Sequence, residues 1–264
     1  MLMTDKKVEM FKIYNCGYCV NDLSKAYKGV VSKKEKFNAT SVIIKHREEG
    51  YVLFDTGYSR RVFEKDLKMY LYRFFNPTFC EIEDEIKAHL IRDGVALDEV
   101  KNVVISHLHP DHIGGLHFFK NSRFIISKEI NEKYKNNRLR NIIFDKLIPE
   151  AFEENKHVIR DKSDCWLNEY FTEVYDLFGD NSILLVKLDG HSNGQLGLYL
   201  SEYETFFVSD AFWKETLVDK KLTFKGRLIQ EDANEFIKTI DKIKRFKREK
   251  NVKIISSHGG GIND

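Results

Sequence analysis

One segment limits this chain more than any other: Ser106-His107-Leu108-His109-Pro110-Asp111-His112-Ile113-Gly114-Gly115. It follows directly on a short apolar run, Val103-Val104-Ile105, which reads as a buried strand. A rigid strand therefore presents a loop rich in imidazole and carboxylate. His107 and His109 are two apart, and in extended backbone residues of that spacing share a face. Pro110 disfavours helical backbone at His109 and keeps the pair extended. Asp111 and His112 then turn into the next element and offer their side chains to a neighbouring position. Gly114 and Gly115 allow a tight turn beside them. A polar loop that merely happens to hold three histidines would rarely show this order. Imidazole and carboxylate are the usual ligands of zinc and other borderline metals, so the segment reads as a metal-binding loop.

The rest of the chain must supply a scaffold for that loop. Of 264 residues 42% are hydrophobic, and 43 Lys+Arg against 41 Asp+Glu give a formal net charge of +2. A disordered chain would combine low apolar content with a large net charge, and this one does neither. Near-neutrality argues against a dedicated nucleic-acid binder. No apolar run is long enough for a membrane span. The start, MLMTDKKVEMFKIY, has no apolar h-region, so no signal peptide is expected, and a cytoplasmic location follows as an expectation. Cys16 and Cys19 form a single Cys-x-x-Cys without a second pair, while Cys80 and Cys165 stand alone; all four read as ordinary reduced thiols.

Strand-like runs at Val8 to Tyr14, Ser41 to Lys45 and Tyr51 to Asp55 come first, the last two flanking a polar hairpin turn with Gly50. Helical spacing in Ile82, Ile86 and Leu90 ends at Gly94. After a strand at Phe124 to Ser127, the stretch Lys128 to Asn181 reads as mainly helical. Strands resume at Ile183 to Leu188, Gln195 to Leu200 and Thr205 to Val208. A helix from about Asp232 to Arg248 carries Phe236, Ile240, Ile243 and Phe246 on one face, with the run Lys242 to Arg248 supplying its solvated face. Lys253 to Ser256 is the final strand. Strand clusters on each side of a helical middle predict an α/β fold with two sheets. Each buries one face on the other and its opposite face under helices, a four-layer αββα sandwich. The expected organisation is a single domain over 1–264, with helical and aromatic insertions at about 58–98 and 128–181.

Three further groups stand at strand ends: His191 in Gly190-His191-Ser192-Asn193-Gly194, Asp210 after Ser209, and His258 in Ser257-His258-Gly259. Each alone would be a weak signal. Together with the loop at 106–115 they form an ordered series that resembles the metallo-β-lactamase-fold hydrolases, and Leu53-Phe54-Asp55-Thr56-Gly57 is similar to that superfamily's Asp-x-Gly strand end. The resemblance spans nearly the whole chain. It implies a dinuclear site in which His107, His109 and His191 hold one metal. Asp111, His112 and His258 would hold the second, and Asp210 would bridge both. Asp55 would orient a ligand histidine. The implied cofactor is two divalent ions, most naturally Zn2+, with iron, manganese or cobalt as alternatives. The implied reaction is attack of a metal-bridging hydroxide on a carbonyl or phosphoryl centre, with Asp111 delivering a proton to the departing oxygen.

Within the superfamily, the long aromatic segment between Asp55 and His107 most resembles the N-acyl-homoserine lactonase group, which implies quorum quenching and a small-molecule lactone or ester as partner. A phosphodiesterase or nuclease, a thioester hydrolase and a non-catalytic ligand-binding module are the alternatives, and a homodimer is left open. Two positions depart from the group: Trp213 stands where a tyrosine commonly follows the bridging aspartate, and Pro110 where a phenylalanine is often found. Indole donates one N–H but is no phenol. Phe63, Tyr70, Phe74 and Phe75 are candidates to line an acyl pocket, or else to pack on the sandwich. His46, His89, His117 and His157 are expected at the surface.

Overall fold

The computed structural model describes residues 6–136 and 144–259. The chain begins with an antiparallel meander, β1 (Val8–Asp22), β2 (Lys34–His46) and β3 (Gly50–Phe54). A two-residue strand, β4 (Thr78–Phe79), caps the outer edge of β1. On the other side β5 (Val100–Val104), β6 (Arg123–Ile126) and β7 (Lys156–Val158) extend the sheet in parallel, giving the order β4-β1-β2-β3-β5-β6-β7. A second sheet of β8 (Val174–Asp176), β9 (Ile183–Lys187), β10 (Leu196–Leu200), β11 (Thr205–Ser209) and β12 (Lys253–Ser256) runs β12-β11-β10-β9-β8. The helices are α1 (Leu67–Phe75), α2 (Ile86–Arg92), α3 (Pro110–Ile113), α4 (Lys128–Asn136), α5 (Phe152–Asn155), α6 (Phe224–Leu228) and α7 (Ala233–Lys250). The β11–β12 pair is parallel, and α7 lies in the crossover that a parallel pair requires.

Alternation along the strands sorts the core into layers. Val42, Ile44, Val52, Phe54 and Val104 of the first sheet cluster with Leu185, Leu196, Leu198 and Phe207 of the second, and these fill the seam between sheets. Their neighbours Ile43, Leu53 and Val103 point the other way, into the cluster that contains Ile86 and Leu90 of α2. Likewise Leu184, Tyr199 and Phe206 meet the α7 stripe of Phe236, Ile240, Ile243 and Phe246. Period-two strands with both faces apolar leave room for nothing but helices outside, and the αββα sandwich is the result. Asp232 caps α7 by accepting from the Asn234 and Glu235 amides, and Asn251 ends it in left-handed backbone at φ +51°.

Three expectations change. The stretch 128–181 is mainly irregular among its described residues: beyond α4 and α5 it adds β7 and β8, one edge strand to each sheet. Its polar and aromatic composition imitates a helical pattern, but pairing with an existing sheet edge overrides local propensity. His46 is buried, not at the surface; its Nδ1 accepts from the Glu48 and Glu49 amides of the hairpin turn and its Nε2–H donates to Asp180, 2.9 Å away. Tyr70, Phe74 and Phe75 are exposed, so three of the four candidate pocket rings of the first insertion face outward.

Phe246 is fully buried and meets Phe171, Tyr199 and Phe206 edge-on. Phe246→Ala should therefore cost about 3–5 kcal/mol of stability through lost transfer energy and a residual cavity, read as a lower urea midpoint at unchanged slope.

Candidate metal centre

Every predicted site residue stands at or just beyond the carboxyl end of a strand, at one edge of the seam. β3 ends at Asp55, whose backbone is left-handed at φ +58°. One Asp55 oxygen accepts from the Ser106 amide at 2.8 Å, and the other accepts from the Ser106 hydroxyl and from His112 Nδ1–H, both at 2.7 Å. β5 runs out into Ser106, His107 and His109, and Pro110 opens α3, which carries Asp111 and His112. β9 leads through Gly190 to His191. A Cβ at Gly190 would lie 2.2 Å from the Phe236 backbone, and its φ is +130°, so only glycine lets α7 approach this loop so closely. β11 ends at Ser209, again left-handed at φ +50°, which delivers Asp210, and β12 leads to His258.

The side chains gather into two groups. His107 Nε2 lies 2.9 Å from His109 Nδ1, and His191 Nε2 lies 3.0 Å from the same atom. Three ring nitrogens converge on one point, close enough to share a cation. Beside them His112 Nε2 is 3.5 Å from Asp111 Oδ2 and 3.4 Å from Asp210 Oδ1, and His258 Nε2 is 3.0 Å from Asp210 Oδ2. Asp210 Oδ2 also lies 3.5 Å from His191 Nε2, so this one carboxylate reaches both groups. Within each group the donor atoms all fall within 4.8 Å of one another, a spacing that can surround a metal ion. His112 Nε2 and Asp210 Oδ1 are buried with no hydrogen-bond partner. Two such orphans in one pocket fit a pair of cations, because an unpaired buried polar atom otherwise costs free energy.

The far nitrogen of most of these rings is tied down by an oxygen. His112 donates to Asp55, His258 Nδ1–H to the Asn38 carbonyl at 2.7 Å, and His191 Nδ1–H to Gln230 Oε1 at 2.9 Å. The Ser106 hydroxyl lies 3.0 Å from His107 Nδ1 and accepts from the Ser209 hydroxyl at 2.9 Å, linking the ends of β5 and β11. These bonds fix each tautomer with a lone pair facing the site. Asp55 was legible through the resemblance of its Asp-x-Gly segment to the superfamily's; Ser106 could have been suspected from its place beside His107. Gln230 and the Asn38 carbonyl carry no signal in the sequence.

Electrostatics separate the two groups. Burial, then the neighbouring imidazoles, hold His107 well below the ordinary histidine range; burial, then His191, brings His109 to about 3; burial lowers His191 as well. These rings are neutral at pH 7, the form that binds cations. Burial opposes charge on His112 and His258 too, but the surrounding carboxylates outweigh it and raise both, with Asp111 leading for His112 and Asp210 for His258. Reciprocally, and against burial, His112 brings Asp111 to about 2 and His258 holds Asp210 well below its usual range. Burial pushes Asp55 up, yet three donors aimed at its oxygens keep it an acceptor.

The family model described as the metallo-beta-lactamase superfamily matches residues 35–258. The chain belongs to that superfamily, and is a metal-dependent hydrolase. Among curated proteins, none matches this sequence. Among solved structures, a variant of the AiiA protein of B. thuringiensis with N-decanoyl-L-homoserine bound at its active site is 20% identical. Its TM-score is 0.74, with 96% of this chain and 94% of that one covered. A dizinc quorum-quenching lactonase, AidC, in complex with a hexanoyl-homoserine product is 17% identical at TM-score 0.69, covering 96% and 88%. A probable metal-dependent hydrolase from Staphylococcus aureus is 12% identical at TM-score 0.74, covering 97% and 91%. At these identities the likeness is one of fold.

The carboxylates favour the protonated forms of His112 and His258, so a cation has to compete with protons there. Binding should therefore release protons near neutrality and tighten as pH rises, measurable by calorimetric titration in buffers of different ionisation enthalpy. Asp210→Ala should lose bound metal and turnover together, checked by elemental analysis beside an activity assay; full activity at unchanged metal content would refute its bridging place.

Proposed function

We propose that this metallo-β-lactamase-superfamily hydrolase opens a lactone or carboxylic ester, with N-acyl-homoserine lactones as the leading substrates and quorum quenching as the corresponding role. One geometric fact supports a two-cation site above all: Asp210 lies within 3.5 Å of His191 from the first group and of His112 and His258 from the second. His107, His109 and His191 would hold one ion, Asp111, His112 and His258 the other, and Asp210 both. A nitrogen-rich site with mixed oxygen ligands favours zinc. The substrate class draws its support from the structural neighbours that hold acyl-homoserine ligands.

When bound, the ions supply water ionised at neutral pH and a Lewis acid for the carbonyl oxygen. The protein's own groups do the rest. Asp111 and Asp210 would neutralise the cations' charge, and Asp111, at the side of the second group, is placed to accept the proton of the attacking oxygen and pass it to the departing one. Trp213 stands edge-on to His191 with ring centres 6.4 Å apart, and Tyr27 and Phe37 back it at 5.8 and 6.4 Å. Its indole N–H is a donor for a carbonyl or amide oxygen of the substrate, in place of a phenol.

Metal-loaded protein should hydrolyse lactones and carboxylic esters ahead of thioesters and phosphodiesters in a side-by-side panel. Faster turnover of phosphodiesters would replace this reading with a nuclease one. Silence across the panel with tight small-ligand binding would replace it with a binding module. Trp213→Tyr should raise lactone hydrolysis severalfold; an unchanged rate would remove Trp213 from the carbonyl's surroundings.

A further inference from the structure

Helix α6 turns its apolar side chains away from the protein. Gly226 is its buried residue, and a Cβ there would lie 2.0 Å from the Ala26 carbonyl oxygen, so α6 is pressed by its glycine face onto the loop 25–31. Phe224 and Leu228 stand two residues to either side, which at 3.6 residues per turn is the opposite face. They are 76% and 67% exposed, with Ile229 exposed beside them. Backbone bonds hold the helix in this pose. The Thr223 amide donates to the Ala26 carbonyl at 2.8 Å, and the Thr223 hydroxyl accepts from the Gly226 amide at 3.0 Å.

The same pairing of loops brings cations to that face. The Lys28 amide donates to the Lys221 carbonyl at 2.8 Å and Tyr27 bridges Leu222, which sets 25–31 beside 220–225. Lys28, Lys220, Lys221 and Lys225 are exposed, and among the described residues none of their ammonium groups has a hydrogen-bond or ion-pair partner. Nearby acids are already engaged: Asp219 by Lys244, Glu231 by Lys133, and Asp232 by the amides it caps. A groove running from Lys28 and Lys221 to Ile237 and Ile240 of α7 continues the mixture of apolar floor and cationic rim; Asp241 on its far side leaves the balance positive.

Two features together decide what this face meets. Exposed apolar side chains add little to a purely electrostatic partner, and unpaired lysines add little to a purely apolar one. An anionic lipid surface uses both, the apolar groups entering the acyl boundary while the ammonium groups stay among the headgroups. Helix α1 also exposes Leu67, Tyr70 and Phe74, but there Arg61 pairs with Glu64 and Lys68 with Asp145, which weakens any attraction for anions. No helix of the described residues is long and apolar enough to cross a membrane, and lying on one requires no such helix.

We propose that α6 and the loop 25–31 form a reversible docking surface for anionic membrane, with Phe224 and Leu228 as apolar anchors and Lys28, Lys220, Lys221 and Lys225 as its cations. The proposal is independent of the substrate assigned above. Gln230, which holds His191, follows closely on α6, so docking brings the metal centre near the lipid surface.

The test sediments the metal-loaded full chain with vesicles of phosphatidylcholine alone and of phosphatidylcholine mixed with phosphatidylglycerol. The protein should pellet with the mixed vesicles only, and added salt should release it. Phe224→Ser, and Lys221→Glu together with Lys225→Glu, should each weaken that binding about tenfold or more at unchanged circular dichroism, whereas Phe74→Ser on α1 should leave it intact. Failure to pellet with mixed vesicles, or binding indifferent to Phe224→Ser, would overturn the proposal. Binding of duplex DNA that survives Phe224→Ser but not the lysine changes would make the face a polyanion site instead. A dimer of the wild type that Phe224→Ser dissociates would make it a self-association surface; either result replaces the membrane reading.

Discussion

Everything at the edge of this sandwich answers to one electrostatic constraint: groups that repel or orphan one another are brought together where water is scarce. Three imidazole nitrogens meet near His109, and Asp111 and Asp210 lie buried beside them. In a low-dielectric seam such a gathering is unfavourable unless positive charge sits among its members. In the second group the neighbouring carboxylates favour positive charge on His112 and His258. In the first, burial keeps the rings neutral and their lone pairs open. The same arrangement that makes the bare site uncomfortable makes it selective for cations.

Holding such groups in place falls to the backbone and to the oxygens behind the rings. Asp55 and Ser209 both sit in left-handed backbone at the carboxyl ends of β3 and β11. A non-glycine residue there costs on the order of 1–3 kcal/mol and persists only where the surrounding structure dictates it. Here two apolar layers dictate it, and the Ser106 hydroxyl, shared by Asp55, His107 and Ser209, ties the two sheets together at the strained positions. The loop bearing His191 is held in the same manner: Lys133 of α4 donates to the Ser192 hydroxyl at 2.8 Å, and Glu231 accepts from Lys133 and from the Asn193 amide.

The first insertion begins against the loop that carries Asp111 and His112. Its helix α1 turns most of its aromatic rings outward, yet sends Tyr72 back to Tyr58 next to α3. On the opposite side Trp213 presents an indole beside His191. A polar aromatic group therefore flanks the first half of the cluster and offers a hydrogen-bond donor as well as apolar surface.

The two-sheet sandwich and the gathering of His107, His109, Asp111, His112, His191, Asp210 and His258 were legible in the residues. Their signals are local: period-two apolar runs, a proline that keeps two histidines extended, and polar groups placed just past strand ends. What happens at 128–181 was not legible, because the sheet edges that recruit β7 and β8 are made by strands far away in the chain. Nor were Gln230 behind His191, the Asn38 carbonyl behind His258 or Tyr72 beside Tyr58, since each pairing spans residues that share no spacing or motif. By itself the sequence determined which donor atoms exist and the strand ends they occupy. Only the tertiary structure decided which nitrogen of each ring faces inward, because that choice depends on oxygens that folding brings up from distant segments.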